Sequence, residues 1–478
     1  MMNQHENAII KDRRFENYQE FTYMHQNNQF TEGKIFGPLI RFAIPVLFAL
    51  CLQSLYGAVD LLVVGRFVEA KDVAAAVSAV SNGSQIMHMV TMIVTSLAMG
   101  TTIMLGQAIG SGKKKEAGDI IGSSICFFLA LAIVLTIIML IFADTFAGLL
   151  HVPEEAFDKT VTYTIICSAG MIFIVSYNVV GSIFRGLGDS KTPLFTVLCA
   201  CVLNIIGDLV FVAVLDMQAS GAAAATVMAQ AFSVLLCLVI IRKRELPFEF
   251  SRKNIRFEGK LIARIFKIGF PIALQESLVS ISFLVIAAIV NGLGVIASAG
   301  VGVAEKICGF IMLVPSSFSQ SLSAFVAQNI GAGKLKRARQ AMLCGMMASL
   351  VAGLCMGYMA FFHGDMLAAI FANEAEVIYA AADNLKSYAI DTCLVAFLFC
   401  YIGYFNGCGK TTMVMLQGII GAFGVRVPVS YFMSKLPNTT LFKIGLATPA
   451  STIVQIIFCS VCLWFLIRGE RRSADGKY

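Results

Sequence analysis

Twelve apolar runs constrain this chain more than any other feature, beginning near residues 38, 80, 119, 160, 191, 218, 264, 299, 338, 386, 412 and 444. A helix needs about 20 such residues to cross a bilayer, and short charged or glycine-rich connections separate the runs. The alternating ten-residue segments of a membrane β-barrel are absent. Composition agrees: 58% of the residues are hydrophobic and only 14% charged, against roughly 25% charged in a soluble domain. That leaves too little charge for a water-facing surface, which argues against a soluble enzyme, a nucleic-acid binder or a disordered regulator. The net charge of +7 lies between the apolar runs rather than on one face, so no nucleic-acid partner is expected. The expected fold is all-α and integral to the membrane, with twelve transmembrane helices.

Residues 1–34 are polar, carry no signal peptide and read as a cytoplasmic tail. Most of the 14 cysteines sit inside apolar runs, without zinc-ligand spacing, and read as small packing residues. With the N-terminus inside, the tails and even-numbered connections hold 28 of the 36 basic residues, whereas the odd-numbered connections hold 6. This asymmetry puts both termini in the cytoplasm of a multi-pass protein of the inner (plasma) membrane.

The chain repeats itself. Gln107-Ala-Ile-Gly-Ser-Gly-Lys113 recurs as Gln328-Asn-Ile-Gly-Ala-Gly-Lys334, displaced by 221 residues. Phe184-Arg-Gly-Leu-Gly188 recurs as Phe405-Asn-Gly-Cys-Gly409 at the same displacement, and Ile44-Pro45 has its counterpart in Phe270-Pro271. Loops repeated at a constant offset mark an internal duplication. Six spans is an even number, so the halves enter the membrane with the same orientation. They are expected to form two pseudo-symmetric six-helix lobes, 35–241 and 264–468, joined by a basic linker over 242–263 and followed by a tail over 469–478. Two lobes around a midplane cavity suit a transporter, and the repeated filter loop of a channel is missing.

At this point the chain resembles the multidrug and toxic compound extrusion (MATE) family. The resemblance covers about residues 35–468 and rests on Gln53-Ser-Leu-Tyr56-Gly-Ala-Val-Asp60, both Gln-x-Ile-Gly-x-Gly-Lys loops, and Phe184-Arg-Gly-Leu-Gly-Asp-Ser-Lys-Thr-Pro193. It implies a V-shaped exporter that exchanges drugs or organic, often cationic, metabolites for protons or sodium ions by alternating access. Flippases of lipid-linked oligosaccharide precursors, in the same superfamily, are the alternative reading. Small organic molecules and membrane lipid are the expected partners, a monomer the expected state, and no cofactor is expected beyond the coupling ion.

Charges inside a membrane each need a reason, because one at mid-bilayer costs about 2.5–3.5 kcal/mol on insertion scales. Asp60 lies in the first run. Asn204 and Asp208 stand four apart, so both project from one face of the fifth helix. Two carboxylates close together in low dielectric resist joint ionisation, so a shared proton or a bound cation follows. The resemblance implies that Asp60 turns toward Asn204 and Asp208, and that Tyr163 and Thr226 complete a set of oxygen ligands for the coupling ion. A buried polar network that merely joins helices is the bland reading, but two acids are costly glue.

The second lobe lacks this cluster. Val425 and Val429 replace Asn204 and Asp208 in the repeat register, and Arg426 enters the eleventh span instead. Glu276 is its expected partner, with an ion pair and a substrate-lining role equally open. Gln53 and Gln275 are further candidates for a cavity wall. Asn406-Gly-Cys-Gly409-Lys410-Thr411 mimics a phosphate-binding loop but follows a membrane helix rather than a strand, so ATP drive is not expected. His88 lacks a second metal-ligating neighbour. No catalytic constellation is present, and an enzyme is not expected.

Overall fold

The computed structural model describes residues 30–243 and 250–474. Positions 1–29 of the expected tail, 244–249 of the linker with Pro247, and 475–478 therefore lie outside the described residues. Among the described residues the chain is helical and no strand occurs.

Eleven helices are each long and apolar enough to cross a membrane: α1 Phe36–Phe67, α2 Val73–Gly110, α3 Lys114–Ile141, α5 Lys191–Val214, α6 Gln218–Lys243, α7 Gly259–Asn291, α8 Val295–Gly331, α9 Leu335–Phe362, α10 Ala375–Gly407, α11 Thr411–Ser434 and α12 Leu441–Glu470. The twelfth, α4, is a bent pair, Glu154–Ala169 and Met171–Leu187, meeting at 57°. Helices are the natural outcome, since a lipid-embedded backbone must satisfy its own N–H and C=O groups. The expected twelve-helix, two-lobe fold is the one observed.

The repeated loops explain themselves locally. Gly112 (φ 70°) and Gly333 (φ 71°) adopt the left-handed conformation that ends α2 and α8, a conformation other residues take only under strain. Both loops lie at the end of the bundle where α1 begins and α12 ends, together with Lys113–Lys115 and Lys334–Arg339. We call this the basic end. The described part of the linker docks there on the first lobe, where Asn254 Nδ2 donates to Asp119 Oδ1 at 3.0 Å.

The lobes exchange the beginnings of their first helices. Leu39, Phe42 and Val46 at the start of α1 pack in one core with Phe318, Phe325 and Met342 of the second lobe. The start of α7, with Ile265, Ile268 and Ile272, packs in the first lobe's core. Farther along, Val63 and Val64 of α1 lie in the first lobe's core, while Ile286 and Val290 of α7 pack with Val301 and Leu441 of the second. The lobes are thus knit together at the basic end.

The knitting is two-fold in character. Gln107 Nε2 donates to Gly407 O at 3.2 Å, and its repeat counterpart Gln328 Nε2 donates to Gly186 O at 3.0 Å. A Cβ on Gly110 would stand 1.9 Å from Gln328 O, and one on Gly331 2.1 Å from Gln107 O. Backbone therefore meets backbone between α2 and α8, an approach only glycine allows. In a bilayer, water exclusion does not drive helices together, so this fit and its hydrogen bonds decide the contact.

Residues 30–34 reinforce it. Arg337 donates from Nε to Phe30 O (2.9 Å), from Nη1 to Gly33 O (2.6 Å) and from Nη2 to Glu32 O (2.8 Å). The Phe30 ring lies 4.7 Å from that of Phe325 and 5.1 Å from that of Phe42.

Candidate functional site

A cavity of ≈ 870 Å³ lies between the lobes. Gln53 and Asp60 of α1, Tyr163 of α4, Thr226 of α6 and Glu276 of α7 all line it. Asn406 and Arg185 also line it, next to the glycines that accept the two crossing glutamines.

In the first lobe, three helices bring four of the expected residues together: Asp60 and Thr226 line the cavity, and Asn204 and Asp208 are not among its lining. Asp60 is 3% exposed, Asn204 2% and Asp208 0%. Small residues in α6, including buried Ala222, Ala223 and Ala225, let α5 approach closely enough for Asn204 Nδ2 to donate to Thr226 Oγ1 at 3.5 Å. Thr226 Oγ1 in turn donates to Asp60 Oδ2 at 3.4 Å. The side chains of Asp60 and Asp208 lie against each other. Four oxygens in this group have no donor: Asp60 Oδ1, Asn204 Oδ1 and both of Asp208. Such orphaned acceptors are costly in a low-dielectric interior, and a proton or a hard cation held by oxygen ligands satisfies them.

Tyr163, the fifth expected residue, is anchored from another helix. It shares the cavity wall, but its hydroxyl lies 3.0 Å from Ser84 Oγ. Tyr56 and Gln230, which sequence reasoning passed over, lie against each other in the same wall. Their signal was present: each stands four residues from a member of the cluster, Asp60 and Thr226. Gln53 Nε2 donates to Tyr177 Oη at 2.8 Å, so one of its polar atoms is already spent within the first lobe.

The second lobe carries a smaller cavity of ≈ 390 Å³ lined by Gln275, Glu276, Asp391 and Arg426. Glu276, Ser319, Phe399 and Ile402 border both cavities. The expected ion pair between Arg426 and Glu276 is not formed. Arg426 instead donates from Nη1 to Ser282 Oγ at 3.2 Å and stacks over the Phe283 ring at 4.5 Å. Asp391, missed in the sequence because Asp383 and Lys386 precede it in the same helix, is buried and accepts from Thr452 Oγ1 at 2.6 Å. Glu305 also lines this cavity, and it forms no ion pair with Lys306 among the described residues.

The two charged sites share a backbone device. In each lobe the fifth helix changes to a π-helical segment beside its buried charge: Leu209–Val214 directly follows Asp208, and Ile420–Arg426 ends on Arg426. Such widened turns free backbone groups and are frequent at functional sites. No cluster of three or more His, Cys, Asp or Glu suited to a metal occurs among the described residues.

A family model described as MatE matches residues 45–210 and 271–432, one segment in each half. The chain is 26% identical over 425 residues to a probable multidrug resistance protein, YoeA, of Bacillus subtilis (strain 168), covering 87% of this chain and 90% of that one. It is 23% identical over 439 residues to a probable multidrug resistance protein, NorM, of Thermotoga maritima, covering 90% and 92%. Among solved structures, a MATE protein crystallised in a bent conformation matches with a TM-score of 0.87 at 19% identity, over 94% of this chain and 99% of that one.

Proposed function

The chain belongs to the MatE family of multi-pass membrane transporters, and from that premise we propose that it is a monomeric secondary exporter, driving small organic molecules out of the cell against protons or sodium ions. The relatives named above are described as multidrug resistance proteins, which supports efflux of drug-like molecules. One observation carries the coupling: four donor-less oxygens on Asp60, which lines the interlobe cavity, and on Asn204 and Asp208 of the same buried cluster.

In this reading the basic end faces the cytoplasm and is closed. A cation entering from outside neutralises the Asp60–Asp208 pair and favours the conformer that releases substrate outward. Cation release to the cytoplasm then resets the lobes. An ion acts here only through its differential affinity for the two conformers. One charge moving down about 100 mV supplies roughly 2.3 kcal/mol, which supports about a fiftyfold substrate gradient per ion.

A precursor flippase needs a large basic cavity for its anionic headgroup. Among the described residues, Arg185 is the one arginine or lysine lining the ≈ 870 Å³ cavity, against the acids Asp60 and Glu276. That balance favours organic cations over a polyanionic lipid.

The test is efflux of a panel of cationic dyes from proteoliposomes under separate proton and sodium gradients. Export should follow one gradient, collapse when it is dissipated, and ignore ATP. ATP-stimulated transport without an ion gradient would overturn the reading.

A further inference from the structure

The second cavity holds unsatisfied atoms of both kinds. Arg426 is 6% exposed, and of its five N–H groups the structure assigns one hydrogen bond, to Ser282 Oγ. Its buried Nε has no acceptor. Among the described residues no carboxylate comes within ion-pair distance of it, and Asp391 directs one oxygen to Thr452. The Phe283 ring covers one face of the guanidinium, leaving its edge to present donors. In the same cavity, the side-chain carbonyls of Gln275 and Gln417 are buried acceptors without donors.

We propose that Arg426 is a specificity-determining residue that holds an anionic group of the exported molecule, a carboxylate, sulfonate or phosphate, while the Gln275, Gln417 and Glu276 side receives its N–H or cationic part. This rests on the transport reading above and adds a substrate class to it, molecules carrying both charges. A guanidinium is suited to the task because its planar fork pairs two oxygens at once. Charge balance alone does not account for it, since an arginine kept only to neutralise Asp391 would pair with that carboxylate directly. Glu276 borders both cavities, so a molecule anchored at Arg426 extends toward the interlobe space past an acid that accepts its positive end.

The test compares a zwitterionic xanthene dye bearing a free benzoate with its methyl ester, which keeps the cation and removes the anion. Binding is measured on the purified full chain in lipid-depleted detergent, with no gradient. Wild type should bind the acid about ten- to hundredfold more tightly than the ester, the range of one charge-assisted pair, and benzoate should displace it. Arg426→Gln should remove that preference while leaving ester binding unchanged or tighter. Arg426→Lys should restore part of it.

Equal binding of acid and ester by wild type overturns the proposal, whether or not the variants fold. So does an Arg426→Gln protein that keeps the preference. Displacement by phosphatidylglycerol but not by benzoate would assign the site to a lipid headgroup and likewise overturn it. The transport reading fails separately, if neither dye moves in response to an ion gradient in proteoliposomes.

Discussion

Asp60 of α1 and Asp208 of α5 turn their carboxyl groups toward each other, yet the donor given to the pair, Thr226 Oγ1, reaches only Asp60 Oδ2, at 3.4 Å. At 0% exposure neither oxygen of Asp208 receives an amide or hydroxyl donor, so a proton or cation shared with Asp60 is what would satisfy it. A pair needed only to join helices would be better served by one amide and one acid.

The first prediction follows from that asymmetry. Asp60→Asn and Asp208→Asn should each abolish gradient-driven efflux while folding and insertion survive, because removing an uncompensated intramembrane charge is neutral or favourable for insertion. Dye binding in detergent should persist. The bland alternative gives the opposite pattern, lower thermal stability with the ion dependence of residual transport unchanged. Glu276→Gln is the comparison: normal export by both aspartate variants, with loss in Glu276→Gln, would move the coupling site to the second lobe.

A second prediction concerns the basic end. A side chain at Gly110 or Gly331 must push apart α2 and α8, since even a Cβ would stand 1.9 Å or 2.1 Å from a backbone oxygen. Gly110→Val and Gly331→Val should therefore shift the population away from the closed arrangement. Spin labels at Lys115 and Lys336 should report longer distances in both variants, by similar amounts because the two contacts are repeat counterparts. Unchanged distances would remove the closure from the transport cycle.

Arg337 yields a third. It ties residues 30–34 to the second lobe through four backbone carbonyls, those of Phe30, Glu32, Gly33 and Lys34. Arg337→Ala should lower stability by about 1–2 kcal/mol, the worth of one or two partly solvated charged hydrogen bonds. A thiol placed at position 30 should then react with maleimide many times faster. Equal reaction rates with and without Arg337 would show that the aromatic packing of Phe30 alone holds the segment.

Orientation provides the fourth. Cysteines at Lys114 and Lys336 should resist an impermeant reagent in intact cells, and cysteines at Glu154 and Glu374 should react. The reverse pattern would invert the direction of transport proposed here.

The spans and the duplication were legible because each is a repeated, one-dimensional signal: twenty apolar residues, or the same loop 221 positions later. Asn204 and Asp208 were legible because i, i+4 spacing fixes a shared helical face. The contacts of Arg426 were not, since Ser282 and Phe283 come from another helix whose rotation no local pattern encodes. Asp391 was hidden by its charged neighbours Asp383 and Lys386, which made the start of α10 read as a loop. Tyr163 was assigned by resemblance, and only the packing of α4 against α2 reveals that its hydroxyl meets Ser84.

The exchanged beginnings of α1 and α7 bear on how the protein is made. Leu39, Phe42 and Val46 emerge from the ribosome long before Phe318 and Phe325, the residues they pack against. Until then that stretch of α1 faces lipid, tolerated because its side chains are apolar. The first lobe is correspondingly incomplete until Ile265, Ile268 and Ile272 of α7 arrive. Two half-molecules produced separately would each lack part of their interior, but co-production would let each supply the other's missing helix start. Assembly of the halves and completion of their cores are one event.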